Sequence, residues 1–342
     1  MLTERQSTIL NTIVKQYIIN AIPVPSEAIA GDYPGKISSA TIRNEMAYLE
    51  NEQYIVRPHI SAGGIPSNIG YRYYVESLME EFELPLNEQR TIRHLFYQVE
   101  RQIEEWARLA ATILSSEVMN IAVVTLPKST ETHLKHIELV AVKDFVALLV
   151  IILQNAKIKQ QLISFNRSIT QEELDIVSKK LNDIFEGQTG LQISESYKKN
   201  DVLSPLEKDV LGALVQIMVS EDRQFGEPCL DGLRYFLNQP EFARTRELWN
   251  IVEMLEERYL FKSVLSALSG AEGIRIIIGD ENSDSTLKKC SLVLGMYGMQ
   301  DKAKGVVGVV GPTRMQYQRV VAAVQYLCSI MDELVSGVYN EE

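Results

Sequence analysis

Between Thr3 and Ser67 the apolar residues fall into short periodic runs, with a breaker between each run and the next. That punctuation leaves few folds open. Thr3-x-x-Gln6 has the form of a capping box, and Ile9, Leu10, Ile13, Val14, Tyr17 and Ile18 recur three and four residues apart, which predicts an amphipathic helix to about Asn20. Pro23 ends it. Ser26 is placed to cap a short helix over 27–30 that stops at Gly31 and the Pro34-Gly35 turn. A third helix is expected from Ser38 or Ser39 to about Asn51. It carries Ile42, Met46 and Leu49 on one face, with Ser39, Thr41, Arg43, Asn44 and Tyr48 off it. Tyr54-Ile55-Val56-Arg57-Pro58 and Ile65-Pro66 read as extended pieces on either side of Ser61-Ala62-Gly63-Gly64, hence as a hairpin. Ser67 then caps a helix with Tyr71, Tyr74, Val75 and Leu78. Helix, short helix, helix and hairpin in this order is the layout of a winged helix-turn-helix.

A chain of 342 residues exceeds one typical core and predicts two or three domains. Residues 83–86, with Pro85, form the first expected linker. A single long helix is predicted over 87–118, because Ile92, Phe96, Val99, Ile103, Trp106, Ala110 and Ile113 alternate spacings of four and three. Such a seam packs either on its own domain or against another subunit. Strands are expected over 121–126, 136–142, 145–153 and 158–165, the middle two joined at Lys143-Asp144, then helices over 171–185 and 205–219. Gly226-Glu227-Pro228 breaks the chain. Helices near 231–237 and 245–268, strands over 274–278, 291–297 and 306–310, and a closing helix over 313–335 follow. The order lacks the regular strand–helix alternation of a doubly wound sheet, so the fold class is α+β and multidomain.

Several function classes have no footing in the sequence. The longest apolar run, over 145–153, is too short to span a bilayer, and the N-terminus has no basic segment followed by an apolar one, so a cytoplasmic protein with no membrane contact is expected. Cys229, Cys290 and Cys328 are an odd, scattered set and read as buried thiols rather than disulfide partners or metal ligands. His133 and His136 have no cysteine or suitably placed carboxylate beside them, so no metal is assigned. Gly305-Val-Val-Gly308-Val-Val-Gly311 lacks the spacing of a phosphate cradle and reads as a strand with close packing at its glycines. No nucleophile elbow or zinc-protease motif occurs. No catalytic residue and no cofactor are therefore expected, and the protein is read as no enzyme.

The net charge of −11 would oppose DNA binding if it were spread evenly. It is not: residues 1–75 hold six Lys and Arg against six Asp and Glu, so the rest of the chain carries the whole excess. In a helix-turn-helix the second helix of the pair enters the major groove and its first turns reach base edges. Arg43 and Asn44 lie there, an arginine suiting guanine and an asparagine adenine. Ser38, Ser39 and Thr41 can donate to phosphates at the helix start, while Tyr48, Arg57, His59 and Arg72 complete the set of expected DNA contacts. The competing reading of the Arg43-Asn44 pair is an ordinary solvated face.

The wording of the sequence is itself informative. Leu2-Thr3-Glu4-Arg5-Gln6, Pro23-Val24-Pro25-Ser26, the run from Ser38 to Glu50, the run from Arg57 to Ser67 and Gly70-Tyr71-Arg72-Tyr73-Tyr74-Val75 closely resemble the heat-inducible transcription repressor family called HrcA. Leu237-Asn238-Gln239-Pro240-Glu241-Phe242, Ile278-Gly279-Asp280-Glu281-Asn282 and Val309-Val310-Gly311-Pro312-Thr313-Arg314-Met315 resemble its C-terminal signatures, so the likeness spans nearly the whole chain. It implies a homodimeric repressor of chaperone operons that binds an inverted-repeat operator, CIRCE, in double-stranded DNA, its activity promoted by the GroEL chaperonin. It also implies a winged helix over 1–80, a GAF-like domain over 86–130 and 226–342, and a dimerising α+β domain inserted over 131–225. This chain departs from the family in the wing. Gly63-Gly64-Ile65-Pro66-Ser67 stands where Gly-Arg-Ile-Pro-Thr is usual, Ile69 replaces a usual lysine, and Pro25 a usual glycine. Two other readings stay open: a winged-helix regulator gated by a small ligand in the GAF-like domain, and a module that docks protein instead of DNA.

Overall fold

A computed structural model describes residues 2–59, 62–99, 102–129, 132–154, 157–199, 203–222, 226, 228–242, 273–299 and 303–339. The chain divides into two compact units, one comprising residues 1–127, 227–298 and 305–342, the other 128–226 and 299–304. The helix expected over 245–268 lies outside the described residues.

The first unit begins with the winged helix-turn-helix. Helix α1 (Glu4–Asn20) opens on the reciprocal capping box of Thr3 and Gln6 and ends where Ala21 takes the left-handed conformation, φ 53°. That turn comes two residues before Pro23, the expected stop. Helix α2 (Ser26–Asp32) starts one residue earlier than predicted: Pro25 is the N-cap, its carbonyl accepting from Ala28 and Ile29, and Ser26 is the first helical residue. It also runs through Gly31. Gly35, at φ 113°, turns the chain into α3 (Ser39–Asn51), which Ser38 caps by accepting from the Thr41 N–H. The wing pairs β1 (Ile55–Val56) with β2 (Ile65–Pro66), and Val24 and Gly64 exchange both backbone hydrogen bonds at its root. Helix α4 (Asn68–Tyr73), capped by Ser67, continues into a π-helical turn at Tyr74–Leu78. The small core is built from Ile9, Leu10, Ile13 and Val14 of α1 and Ile42, Met46 and Leu49 of α3, closed by Ile29 and Ile55. Burying each such side chain stabilises the fold by about 1.5–3 kcal/mol.

The predicted long helix is two helices, α5 (Leu86–Val99) and α6 (Ile103–Val118), because Gln102, at φ −121° and ψ 80°, leaves the helical region between them. Trp106 folds back to donate from its indole N–H to Val99 O at 3.1 Å. The seam is thereby used inside the chain, with Ile92, Phe96, Trp106, Ala110 and Ile113 all buried.

Strands β3 (Ile121–Thr125), β8 (Pro228–Asp231), β9 (Ile274–Ile278), β10 (Cys290–Met299) and β11 (Ala303–Pro312) form one sheet in the order β8-β3-β11-β10-β9. Every residue of β3 is buried, as expected of a central strand covered on both faces. Strand β8 starts at Pro228, the last residue of the expected breaker, and short α10 (Leu233–Leu237) follows it. A β-carbon at Gly308 would lie 2.8 Å from Leu294 and one at Gly311 2.5 Å from the Asn120 amide, so the glycine-spaced strand is a packing device. The closing helix α11 (Tyr317–Tyr339) starts four residues later than predicted. Its stretch Tyr317–Val338 is long and apolar enough to cross a membrane, but half of that segment is buried in the fold, with Val320, Val324, Leu327 and Met331 turned inward. Cys290 and Cys328 are buried thiols, each pushed up to about 12 by burial, whereas Cys229 is only half-buried.

In the second unit β4 (Lys128–Ser129) pairs with residues 303–304, and β5 (Leu134–Lys143), β6 (Val146–Leu153) and β7 (Ile158–Ser164) make an antiparallel sheet. Helices α7 (Gln171–Phe185), α8 (Gly190–Lys199) and α9 (Pro205–Asp222) cover one face. Leu149 and Ile151 point into that core with Leu174, Leu181 and Leu214. Among the described residues of this unit none covers the other face. Val140, Leu148 and Leu162 stand in register across it, as do His136, Ile152 and Ile158, and Leu162 and Ile158 are 60% and 64% exposed. Among the described residues no group of three or more His, Cys, Asp or Glu could hold a metal ion.

Candidate nucleic-acid interface

Helix α3 buries Ile42, Met46 and Leu49, so residues three and four apart on the opposite side form one exposed face: Ala40, Arg43, Asn44, Tyr48 and Asn51. The side chains of Asn44 and Tyr48 make no hydrogen bond among the described residues and are available to a ligand. At the head of the helix Ser38 Oγ and Thr41 Oγ1 lie 2.9 Å apart, so one hydroxyl donates to the other. The unpaired N–H groups of this first turn, with their positive end of the helix dipole, suit a phosphate oxygen. Ser39 is half-buried beside them.

Arg43 is engaged. Its Nε donates to Ser26 Oγ at 3.1 Å and its guanidinium pairs with Glu27, both on the first turn of α2. Neither partner is expected from the sequence, which offers Ser26 as a cap and gives Glu27 no role. The backbone N–H of Glu27 itself, and then Arg43, hold the Glu27 carboxyl below its ordinary value. Arg43 and Glu27 remain 62% and 60% exposed, so the pair is open to exchange with another anion or a base edge.

Arg57 donates through Nε to Glu50 Oε2 at 2.8 Å, tying the wing to the last turn of α3. His59 is exposed at the wing tip, where its carbonyl accepts from Ala62 at 2.8 Å. Arg72 faces elsewhere: its guanidinium donates to Glu281 Oε1 and to Ile276 O, each at 2.8 Å, within the sheet-bearing part of the same unit. That engagement, over a sequence separation the primary structure could not reveal, sets Arg72 apart from the α3 face.

The wing departures have a physical reading. The Cβ position of Gly64 points inward, 3.1 Å from both Ile55 and Met46, so this residue does not approach a phosphate. Ile69 is exposed on α4 and does stand at the surface. Of the six cations in residues 1–75, Arg5, Lys15, Arg43, Arg57 and Arg72 each pair with a carboxylate. Lys36, exposed just after the Pro34-Gly35 turn, has no ion-pair partner among the described residues. It was missed as a site residue, although a cation in the turn before a reading helix is a visible signal.

Comparison with known proteins agrees with this architecture. The family model described as the HrcA protein C terminal domain matches residues 104–321. A protein of Dehalococcoides mccartyi named heat-inducible transcription repressor HrcA is 46% identical over 342 residues, covering 100% of this chain and 98% of its own. A protein of Roseiflexus castenholzii with the same name is 35% identical over 347 residues, covering 100% and 96%. A crystal structure described only as that of a hypothetical protein superposes with a TM-score of 0.58 at 21% identity, covering 98% of this chain and 99% of that one.

Proposed function

Because the chain belongs to the HrcA family of heat-inducible transcription repressors, and is with them a regulator of heat-shock transcription and not an enzyme, we propose that it represses as a dimer on an inverted-repeat (CIRCE) operator. The observation that carries this reading is the exposed α3 face, where Arg43 and Asn44 stand side by side on a helix anchored by its opposite face.

On approach to DNA, the α3 N-terminus meets a phosphate, with Ser38, Ser39 and Thr41 supplying donors. Arg43 then exchanges Glu27 for the O6 and N7 acceptors of a guanine. An exposed ion pair contributes little to stability, whereas a bidentate base contact discriminates by roughly 1–3 kcal/mol, so the exchange favours the correct base. Asn44 reads adenine. Tyr48 packs its ring against a sugar or thymine methyl, Lys36, Arg57 and His59 face the backbone, and Arg72 holds the domain in place.

One winged helix covers too few base pairs to select an operator from a genome, and two copies related by a two-fold axis read an inverted repeat. The domain division that serves this is a winged helix over 1–80, a GAF-like domain over 86–130 and 226–342, and a dimerising insert over 131–225. The bare apolar face of β5–β7 supports the last assignment: Val140, Leu148, Leu162 and Ile152 need a cover, and a second copy supplies one. The GroEL chaperonin promotes the DNA-binding state in the cytoplasm.

The test is binding of the full chain to an inverted-repeat duplex and to a scrambled one over a salt series, with and without chaperonin. The expected result is at least about a thousandfold preference for the inverted repeat. A shallow salt dependence is also expected, because most cations of the winged helix already have partners. Equal affinity for both duplexes defeats the reading.

A further inference from the structure

Four sequence signatures of the family take no part in base reading: Gly70 to Val75, Leu237 to Phe242, Ile278 to Asn282 and Val309 to Met315. In the folded chain they meet in two pairs, the first with the third and the second with the fourth. We infer that Arg72, Asn68, Asp280, Glu281 and Arg314 are positioning residues for operator recognition, forming two ties that fix the angle at which the winged helix leaves the GAF-like sheet. This rests on the dimeric, inverted-repeat reading above.

The first tie joins α4 to the loop after β9. Asn282 shapes that loop: buried, its side-chain amide donates to the carbonyls of Gly279 at 2.8 Å, Cys290 at 3.0 Å and Leu287 at 3.1 Å. The loop so held presents two acids to α4. Glu281 takes Arg72 through both carboxylate oxygens while Arg72 also reaches Ile276 O at 2.8 Å, and Asn68 Nδ2 donates to Asp280 Oδ2 at 2.7 Å. Gly279, at φ 53°, lies so close to the Asn68 amide that a β-carbon there would overlap it. The fit therefore reaches the backbone and is not a loose meeting of surface side chains.

The second tie holds the far end of α1. The carbonyl of Ile18 is one of the last of its helix and has no partner within it. Arg314 Nη1 donates to it at 3.1 Å, and the same guanidinium is oriented by Gln239 Oε1 at 2.8 Å and by Glu241. Between the ties Tyr71 and Tyr317 are buried against each other, ring centroids 5.9 Å apart.

The connecting chain cannot do this alone. Residues 79–85 carry no helix or strand, and a flexible chain of seven residues lets its ends separate by about 15 Å. A base pair rises only about 3.4 Å, so a winged helix held by its linker alone would wander over several base pairs. Two linked binding sites gain affinity only while their separation matches the target. The ties convert two tethered reading heads into a ruler.

Glu281→Gln separates positioning from folding. Its amide oxygen can still accept from the Ile278 N–H, as Glu281 Oε2 does at 2.8 Å, while the charge opposite Arg72 is removed. Asp280→Ala weakens the same tie from an exposed position. Wild type and both variants, as full chains, would be titrated against single half-sites and inverted repeats whose central spacing is varied one base pair at a time. Wild type should show one sharply preferred spacing. The variants should keep half-site affinity and melting temperature, lose on the order of 10–100-fold at the preferred spacing, and respond more evenly across spacings. Variants that retain the wild-type spacing profile, or lose half-site affinity in the same proportion, overturn the inference while leaving the dimeric reading intact. A wild-type chain indifferent to spacing overturns both.

Discussion

The chain contains two clusters of the same chemistry with opposite burial. Arg43 and Glu27 meet at the surface of the winged helix, each more than half exposed. In the second unit Glu221, 1% exposed, gathers Lys128 at 2.8 Å, Lys157 at 2.9 Å and Lys159 at 2.5 Å around one carboxylate. Water reaches both members of the first pair but only the lysine side of the second, whose carboxylate is sealed off, so the first trades partners more readily than the second. An ion pair that must give way to DNA belongs at the surface. One that joins β4, β7 and α9 belongs inside.

The comparison breaks most visibly at Glu221. Glu221→Ala leaves three ammonium groups without their counterion; Lys157 and Lys159, 47% and 35% exposed, regain water while Lys128 does not, so the cost falls below that of a fully buried pair, to about 1–3 kcal/mol. Denaturation followed by hydrogen exchange in β5–β7 should show a loss of that order, and an effect below about 1 kcal/mol would place the cluster among ordinary surface pairs. Burial alone would raise the Glu221 carboxyl, but hydrogen bonds from Lys128, Lys159 and Lys157 outweigh it and bring the value down from 4.5 to about 2. Since the folded value lies below the unfolded one, the contribution is complete above pH about 4.5 and is lost as pH falls toward about 2. Acid titration of Glu221→Gln should lack this component.

Arg43→Ala should act the other way round. Operator affinity falls by about 1–3 kcal/mol, affinity for scrambled DNA barely changes, and the melting temperature stays put. Equal losses on both duplexes would reduce Arg43 to a phosphate contact. Arg43→Lys should not restore discrimination, because an ammonium cannot present the paired donors of a guanidinium.

How much of this was legible follows from the range over which each signal acts. Capping boxes, proline stops and apolar period act over a few residues, and they placed α1, α3, the wing and α4 within a residue or two. Thr189 and Gln192 form the same reciprocal cap ahead of α8, the Gln192 N–H reaching Thr189 Oγ1 at 3.3 Å, yet α8 escapes a periodic reading because Leu191 and Ile193, the aliphatic residues of 190–199, are two apart. The break at Gln102 has no proline or glycine to announce it, so the heptad-like spacing was read straight through. The α3 face could be read from periodicity. The partners of Arg43 and Arg72, 16 and 209 residues away in sequence, could not.

The wing offers a smaller contrast between positions that face in and out. Ile69→Lys adds a cation at an exposed site and should steepen the salt slope of binding by about 0.9 per new phosphate contact. Gly64→Arg should instead lower the melting temperature, since its β-carbon starts 3.1 Å from Ile55 and Met46. A steeper slope from Gly64→Arg without loss of stability would show that the wing root opens.

The finest distinction concerns what Glu27 does for Arg43. If the carboxylate only holds the guanidinium in the free protein, its removal should help every DNA equally, because one negative charge leaves the approach to the phosphates. If it also fixed the plane of the guanidinium in the complex, as the Nε contact to Ser26 at 3.1 Å does for the other edge in the free protein, its removal would help scrambled DNA more than operator. Because Arg43 gives up Glu27 to read its base, we expect the first result. Glu27→Gln should raise affinity for scrambled and operator duplexes alike, by a few-fold or less, so that the ratio between them holds. Stability should not change, since the pair is exposed to water on both sides. Measured in parallel with Arg43→Ala, the two variants form a cycle: the ratio lost with Arg43 should be the same whether residue 27 is Glu or Gln. A smaller loss in the Glu27→Gln background would mean that the carboxylate stays on the arginine in the complex and helps it to discriminate.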